Sequence, residues 1–139
     1  MHTTLRYYHL WLMIGWGLIL LVIYLSLAPH PPQPNVAIIP FADKIGHGFA
    51  YFTLMSWFTQ LYQTTRQRRY LAIGFILLGG GLEILQGVGG VRTADIWDFF
   101  ANTSGVIIGW LAVTLTKLGI ILSVIEQRLL RFKWWMDDC

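Results

Sequence analysis

Apolar residues recur along the chain in four runs, each bounded by charged residues or proline. A helix needs about 20 mostly apolar residues to cross a bilayer, and each run approaches that length. The first run stops at Pro29, whose ring cannot continue a helix. The pattern predicts an all-α, polytopic membrane protein that forms a single domain over residues 1–139. The predicted transmembrane helices cover residues 10–28, 45–62, 70–86 and 99–116.

The residues after the fourth span have a different pattern, in which apolar positions alternate with charges before Trp134 and Trp135. Tryptophan favours the headgroup level of a membrane, and a mixed apolar and charged helix lies in that plane more readily than it crosses. We therefore predict an interfacial helix over residues 118–135, and not a continuation of the fourth span.

Composition supports a membrane protein. Of the 139 residues, 55% are hydrophobic and only 12% are charged, whereas an ordinary soluble domain has roughly a quarter charged residues. These values exclude an ordinary globular enzyme, a disordered tail and a nucleic-acid-binding module. Membrane lipids are the expected surroundings, and no nucleic-acid partner is expected. The single cysteine, Cys139, cannot form an internal disulfide.

The basic residues predict an orientation, because short cytoplasmic loops collect lysine and arginine. Of the ten basic residues, only Lys44 and Arg92 fall on one side of the predicted spans. We place Arg66, Arg68 and Arg69 on the other side, in the loop between the second and third spans. Both termini are therefore predicted to be cytoplasmic. The basic residues on the predicted cytoplasmic side are Arg6, Arg66, Arg68, Arg69, Lys117, Arg128, Arg131 and Lys133.

Polar side chains gather at the ends of three predicted spans, on the opposite side from most basic residues. On the second span, Asp43, His47 and Tyr51 are spaced by four residues and share one helix face. Ionisable groups near a bilayer are costly, so their convergence is informative. We predict one extracytoplasmic polar site. Its candidate catalytic residues are His47, Glu83 and Asp98, and its candidate ligand-contact residues are Asp43, Lys44, Tyr51, Gln86, Arg92, Asp95 and Asn102.

Two glycines lie deeper on the same face of the fourth span as Asp98 and Asn102. Gly105 and Gly109 form a GxxxG pair, and small residues at this spacing let another helix backbone approach closely. We expect both to pack against a neighbouring helix.

The chemistry of the polar site has more than one interpretation. His47 and Glu83 could form a proton-transfer pair, or His47 could simply hydrogen-bond Tyr51 or a backbone carbonyl. Lys44 and Arg92 could hold a phosphate or carboxylate, or could pair with neighbouring acids. Two cations against four acids leave a net charge of −2 when His47 is neutral. That charge disfavours a dianionic headgroup unless a carboxyl is protonated, and otherwise favours a sugar, an amine or a cation.

A metal site made from His47, Glu83, Asp95 and Asp98 is chemically possible, because imidazole and carboxylate oxygen are common ligands. Their spacing in the sequence matches no specific metal motif. We therefore expect no metal and no cofactor.

The polar motif resembles that of the VanZ-like family of membrane proteins. The resemblance covers residues 43–109 and implies a setting in the cell envelope, where the family is associated with low-level resistance to the glycopeptide teicoplanin. It implies recognition or modification of an envelope lipid or a glycopeptide-sensitive precursor. The matching residues are Asp43-Lys44-x-x-His47-x-x-x-Tyr51, then Glu83-x-x-Gln86, and then Arg92, Asp95, Asp98, Asn102, Gly105 and Gly109.

Two alternatives remain at this stage. The acids and the histidine could relay ions or protons across the membrane, although the cytoplasmic halves of the predicted spans lack ionisable groups. The chain could also be a non-enzymatic assembly partner that uses its GxxxG pair and aromatic tail. The sequence predicts no particular oligomeric state.

Overall fold

The computed structural model describes residues 5–28, 41–90 and 95–137, with only the backbone described at residues 117 and 133–137. Over these residues the chain is helical and has no strand. This confirms the all-α prediction. The helices are α1 (Tyr8–Leu27), α2 (Ala42–Leu61), α3 (Thr65–Val88), α4 (Ile96–Leu115), a short 3-10 helix (Lys117–Ile120) and α5 (Ile121–Asp137).

Helix α3 begins earlier than its apolar residues predict. The Thr64 side chain accepts a hydrogen bond from the Gln67 backbone N–H, while the Gln67 side chain accepts from the Thr64 backbone N–H. This capping box satisfies two N–H groups at the helix start. Only residues 62–64 separate α2 from α3. The prediction that Arg66, Arg68 and Arg69 lie in a loop was therefore wrong, because they lie in the first turns of α3.

Within the described residues, three helices are long and apolar enough to cross a membrane: α1, α3 and α4. The chain is thus a multi-pass membrane protein by the length and composition of these helices. Helix α2 has 20 residues, but its first turn is charged, and it contains no 18-residue stretch apolar enough to meet the same criterion. A fourth crossing by α2 stays a prediction.

Helix α2 packs at the centre of the bundle. Tyr51, Leu54, Met55 and Phe58 are buried along it, and α1, α3 and α4 contact it. A helix enclosed by other helices exposes little side-chain surface to lipid, so it can carry polar residues that a lipid-facing helix such as α1 cannot.

Helices α2 and α4 approach closely enough for their backbones to touch. A Cβ atom built on Gly105 would collide with the carbonyl oxygen of Gly48, and one on Gly109 would lie 2.6 Å from the carbonyl oxygen of Phe52. The GxxxG pair therefore packs within the chain, against α2. Val106, between the two glycines, is fully buried.

Side-chain contacts show that α1 and α3 run in one direction and α2 and α4 in the other. Gln86 near the end of α3 donates to the Ser26 carbonyl near the end of α1, at 2.5 Å. Lys44 at the start of α2 contacts Asp98 at the start of α4. We call the end of the bundle where these four residues lie the polar end.

The opposite end is closed by α5, and we call it the Glu126 end. Leu122 is part of the hydrophobic core, and its backbone N–H donates to Gln60 of α2. The side chain of Glu126 is buried and accepts from the backbone of Arg6 and Tyr7. The α5 helix thus packs on the bundle, while its predicted location at a membrane interface stays a prediction. The basic residues Arg6, Arg66, Arg68, Arg69, Arg128 and Arg131 belong to the segments that meet at this end.

Candidate functional site

Lys44 is the charged link between α2 and α4. Its Nζ atom lies 2.6 Å from Asp95 Oδ2, 3.1 Å from Asp98 Oδ1 and 3.4 Å from Asp43 Oδ2. Asp95 also caps α4, since its Oδ1 accepts from the Trp97 backbone N–H at 2.9 Å. The Lys44 ammonium, together with that N–H, lowers the pKa of Asp95.

Three ionisable groups from three helices meet beneath this link. The Nε2 atom of His47 lies 3.6 Å from Asp98 Oδ2. Glu83 of α3 accepts a long hydrogen bond of 3.4 Å at Oε2 from the backbone N–H of Asp95. Each of His47, Glu83 and Asp98 offers one ligand-type atom, and these three atoms lie within 4.8 Å of one another. We call Asp43, Lys44, His47, Glu83, Asp95 and Asp98 the polar cluster.

A second layer lies one helical turn deeper. Tyr51 follows His47 by four residues, Asn102 follows Asp98 by four, and Gly79 precedes Glu83 by four. A Cβ atom on Gly79 would lie 3.3 Å from both the Tyr51 ring and the Asn102 amide, so these two side chains converge beneath Glu83. Tyr51 Oη and Asn102 Oδ1 are buried and have no hydrogen-bond partner among the described residues.

The polar cluster carries an excess of negative charge. One ammonium against four carboxylates leaves −3 when His47 is neutral. The Lys44 ammonium contacts three of the carboxylates, but not that of Glu83. Glu83 is only 7% exposed, and a single backbone N–H is the one hydrogen-bond donor to it among the residues that the structure describes. A buried carboxylate with so little compensation is costly.

An apolar pocket opens beside the polar cluster, between α3 and α4, with a volume of about 440 Å³. Glu83 and Asp95 contribute its polar edge, and Ile84, Ile96 and Phe99 contribute apolar walls. The pocket therefore joins an apolar surface suited to a hydrocarbon chain to a charged group suited to a polar headgroup. The sequence analysis did not identify it, because apolar residues are common along every span.

The predicted site residues do not all converge. The described residues of the cluster and the second layer share one region, whereas Gln86 turns away and binds the end of α1. Arg92, together with the contact expected between it and the acids, lies outside the described residues. Gly48 was missed by the sequence analysis, although a small residue on α2 is the expected partner of the GxxxG pair.

Comparison with known families is consistent with this arrangement. The sequence model of the family described as VanZ/LLP1 matches residues 10–121. The chain belongs to the VanZ/LLP1 family. The match extends beyond residues 43–109 at both ends, so it includes most of α1 and reaches the start of α5. No curated protein and no solved structure matches the chain.

Proposed function

We propose that this VanZ/LLP1 protein binds an envelope lipid or a lipid-linked, glycopeptide-sensitive precursor at the polar cluster. The observation that best supports this proposal is the position of the polar cluster next to the apolar pocket between α3 and α4. A lipid-linked molecule has both a polar headgroup and a hydrocarbon chain, so it matches both surfaces at once. Family membership supports an envelope setting.

The number of polar side chains in the cluster and in the second layer supports the binding of a ligand there. One or two ion pairs are enough to tie three helix ends together, and Lys44 already joins α2 to α4. That link does not need His47, Glu83 or the second-layer pair of Tyr51 and Asn102. Buried polar groups are normally hydrogen-bonded, so unpartnered ones indicate a binding surface.

Within this proposal the residues have different roles. Lys44 and Asp95 stand at the outer rim and contact the headgroup, together with the more exposed Asp43. His47, Glu83 and Asp98 lie deeper, and their proposed role is to exchange a proton with a bound hydroxyl, which is general acid and base chemistry.

The two alternatives have less support. Below Tyr51 and Asn102 the next buried side chains are Leu54 and Met55 on α2 and Val106 on α4, all apolar, so a relay of ionisable groups would stop there. Assembly through the GxxxG pair is disfavoured because Gly105 and Gly109 already pack against α2.

The functional test uses isosteric variants in cells. Glu83→Gln and Asp98→Asn keep side-chain shape, so we expect normal accumulation in the membrane and loss of any teicoplanin resistance that the protein confers. Glu126→Gln is the matched control, since it changes a buried carboxylate at the other end, and it should keep the phenotype. If both cluster variants keep full resistance, or lose it only by failing to accumulate, the cluster is a structural plug.

We further propose that the polar end faces outward and both termini face the cytoplasm, as the segregation of arginines at the Glu126 end supports. A membrane-impermeant thiol reagent applied to intact cells should miss Cys139. With Cys139 replaced by serine, the reagent should label Gln33→Cys. The reverse labelling pattern would place the polar cluster inside.

A further inference from the structure

The innermost part of the polar cluster has the chemistry of a metal centre. An imidazole and two carboxylates from α2, α3 and α4 bring one ligand-type atom each within 4.8 Å of one another. His47 Nε2 and Asp98 Oδ2 are 3.6 Å apart. Ligand atoms around a tetrahedral ion with bonds of about 2.1 Å are separated by about 3.4 Å, so this pair is close to binding distance. We propose that His47, Glu83 and Asp98 bind a divalent transition-metal ion of the Zn²⁺ class.

Charge is the first argument for a cation here. The polar cluster has a net charge of −3 with neutral His47, and no lysine or arginine among the described residues forms an ion pair with Glu83. Buried carboxylates that lack compensation are costly, and metal coordination is one way in which proteins offset that cost. A divalent ion between Glu83 and Asp98 reduces the net charge to −1.

Neighbouring donors orient both carboxylates for this role. Lys44 donates to Oδ1 of Asp98, so the other oxygen faces His47. The Asp95 backbone N–H donates to Oε2 of Glu83. Metal-binding carboxylates are typically held in this way by hydrogen bonds from outside the coordination sphere, which fix the direction of the ligating oxygen.

The second layer gives an independent indication of a ligand. Tyr51 and Asn102 are 1% and 2% exposed, and their Oη and Oδ1 atoms have no partner among the described residues. Both side chains converge one turn beneath Glu83. A metal-bound water can accept from the hydroxyl and donate to the amide oxygen, so it would satisfy both atoms.

The donor set indicates the class of metal. Imidazole favours Zn²⁺ and its neighbours among the transition metals over Mg²⁺ or Ca²⁺, and carboxylates are compatible with Zn²⁺. Three protein ligands leave at least one coordination position for water or an oxygen of a ligand, as in catalytic zinc sites. This proposal differs from the expectation of no metal drawn from spacing, because the three residues come from separate helices and share no local motif.

The test measures metal binding directly, so its result is separate from that of the resistance assay. The full chain is purified in detergent, stripped with a chelator, dialysed and titrated with Co²⁺, whose visible absorption reports its coordination, and then with Zn²⁺ as competitor. We expect one Co²⁺ per chain, displaced by one Zn²⁺. A wild-type chain that binds no stoichiometric Co²⁺ or Zn²⁺ overturns the proposal.

Substitutions of the three proposed ligands test where the ion binds. Glu83→Gln and Asp98→Asn should each weaken Zn²⁺ binding at least about tenfold and change the Co²⁺ spectrum, whereas Glu126→Gln should bind like wild type. His47→Gln is a further variant if either carboxylate change prevents accumulation. Equal Zn²⁺ affinity in the wild type and in all the cluster variants would show that the metal binds elsewhere, and would also overturn the proposal.

Discussion

Each end of the bundle buries a glutamate, and the two carboxylates differ in the number and length of the hydrogen bonds that they accept. Glu126 is 5% exposed and accepts from the Arg6 and Tyr7 backbone N–H groups at 2.8 and 2.6 Å and from the Trp11 indole at 3.4 Å. Glu83 is 7% exposed, yet the hydrogen bond from Asp95 at 3.4 Å is its one such contact among the described residues.

The difference separates a structural carboxylate from one that is free to bind a ligand. Helix α1 begins after Tyr7, which supplies no side-chain cap, so Glu126 satisfies N–H groups that the helix start would otherwise leave unpaired. Its negative charge also lies at the positive end of the α1 dipole. Glu83 likewise lies beside a helix start, that of α4, but it accepts there from a single N–H at 3.4 Å, and it adjoins the carboxylate of Asp98.

The ends are also held together by different interactions. Hydrogen bonds to Glu126 and Gln60 attach α1 and α5 at one end. At the polar end, close contact between the α2 and α4 backbones at Gly48, Gly105 and Gly109 brings His47 and Asp98 together. The polar cluster is therefore positioned by backbone packing as well as by the Lys44 ion pairs, and Glu83 takes part in neither.

The largest expected effect tests that packing. Gly105→Ala places a Cβ atom against the Gly48 carbonyl oxygen, so α2 and α4 must separate. We expect the free energy of unfolding in detergent to fall by about 3 kcal/mol, the upper end of ordinary overpacking costs. Gly74→Ala is the control, because its Cβ would meet nothing within 4 Å. Equal stability of the two variants would show that glycine packing does not hold the polar end.

The second prediction concerns the structural carboxylate. Glu126→Ala removes the acceptor for two backbone N–H groups at the start of α1, and hydrogen bonds to charged groups contribute about 1.5–3 kcal/mol. We expect unfolding to become easier by about 2 kcal/mol, with faster amide exchange in the first turn of α1. Glu126→Gln retains an acceptor oxygen and should lose less. A Glu126→Ala protein as stable as wild type would remove the contrast between the two ends.

The helices and the polar cluster could be predicted from the sequence, because both depend on the periodicity of residues along single segments. The spacing of Asp43, His47 and Tyr51 placed them on one face without any tertiary information. Glu126 was not predicted, since an acid in an amphipathic helix resembles a solvent-exposed charge. Its one sequence signal was the absence of a capping residue before α1, which required an acceptor from elsewhere.

Other features depended on contacts between helices. The start of α3 was recoverable from the Thr64-x-x-Gln67 capping box, which was overlooked in favour of apolar content. The choice of Lys44 as the partner of Asp95 and Asp98 depends on how far α2 and α4 are offset along their axes. No pattern within one helix encodes that offset.

The third prediction is a smaller change in stability, caused by Glu83→Gln, and it contrasts with the loss expected on removing Glu126. Glu83→Gln removes a charge that lies beside Asp98 and forms no ion pair with a lysine or arginine of the described residues. With chelator present we therefore expect the free energy of unfolding to stay within about 1 kcal/mol of wild type, or to rise slightly. Thermal unfolding of the purified variant, compared with Glu126→Gln in the same detergent, measures the difference. A loss as large as that of Glu126→Ala would mean that Glu83 is structural as well.

The smallest expected effect lies at the rim of the polar cluster and depends on pH. The Lys44 ammonium lowers the pKa of Asp95 below its ordinary value of 3.8, so the folded state binds this proton less tightly than the unfolded state. The resulting stabilisation is present above pH 3.8 and is lost as the pH falls through the folded-state pKa.

The variant Asp95→Asn tests this assignment, because asparagine retains a good helix cap but carries no charge. The stability difference between wild type and Asp95→Asn should therefore be constant from pH 7 to about 5. It should shrink below pH 4 and decrease with added salt, because Asp95 is partly exposed. Unfolding curves for both proteins across that range measure this difference, and one that grew on acidification would contradict the assignment of Lys44 as the partner.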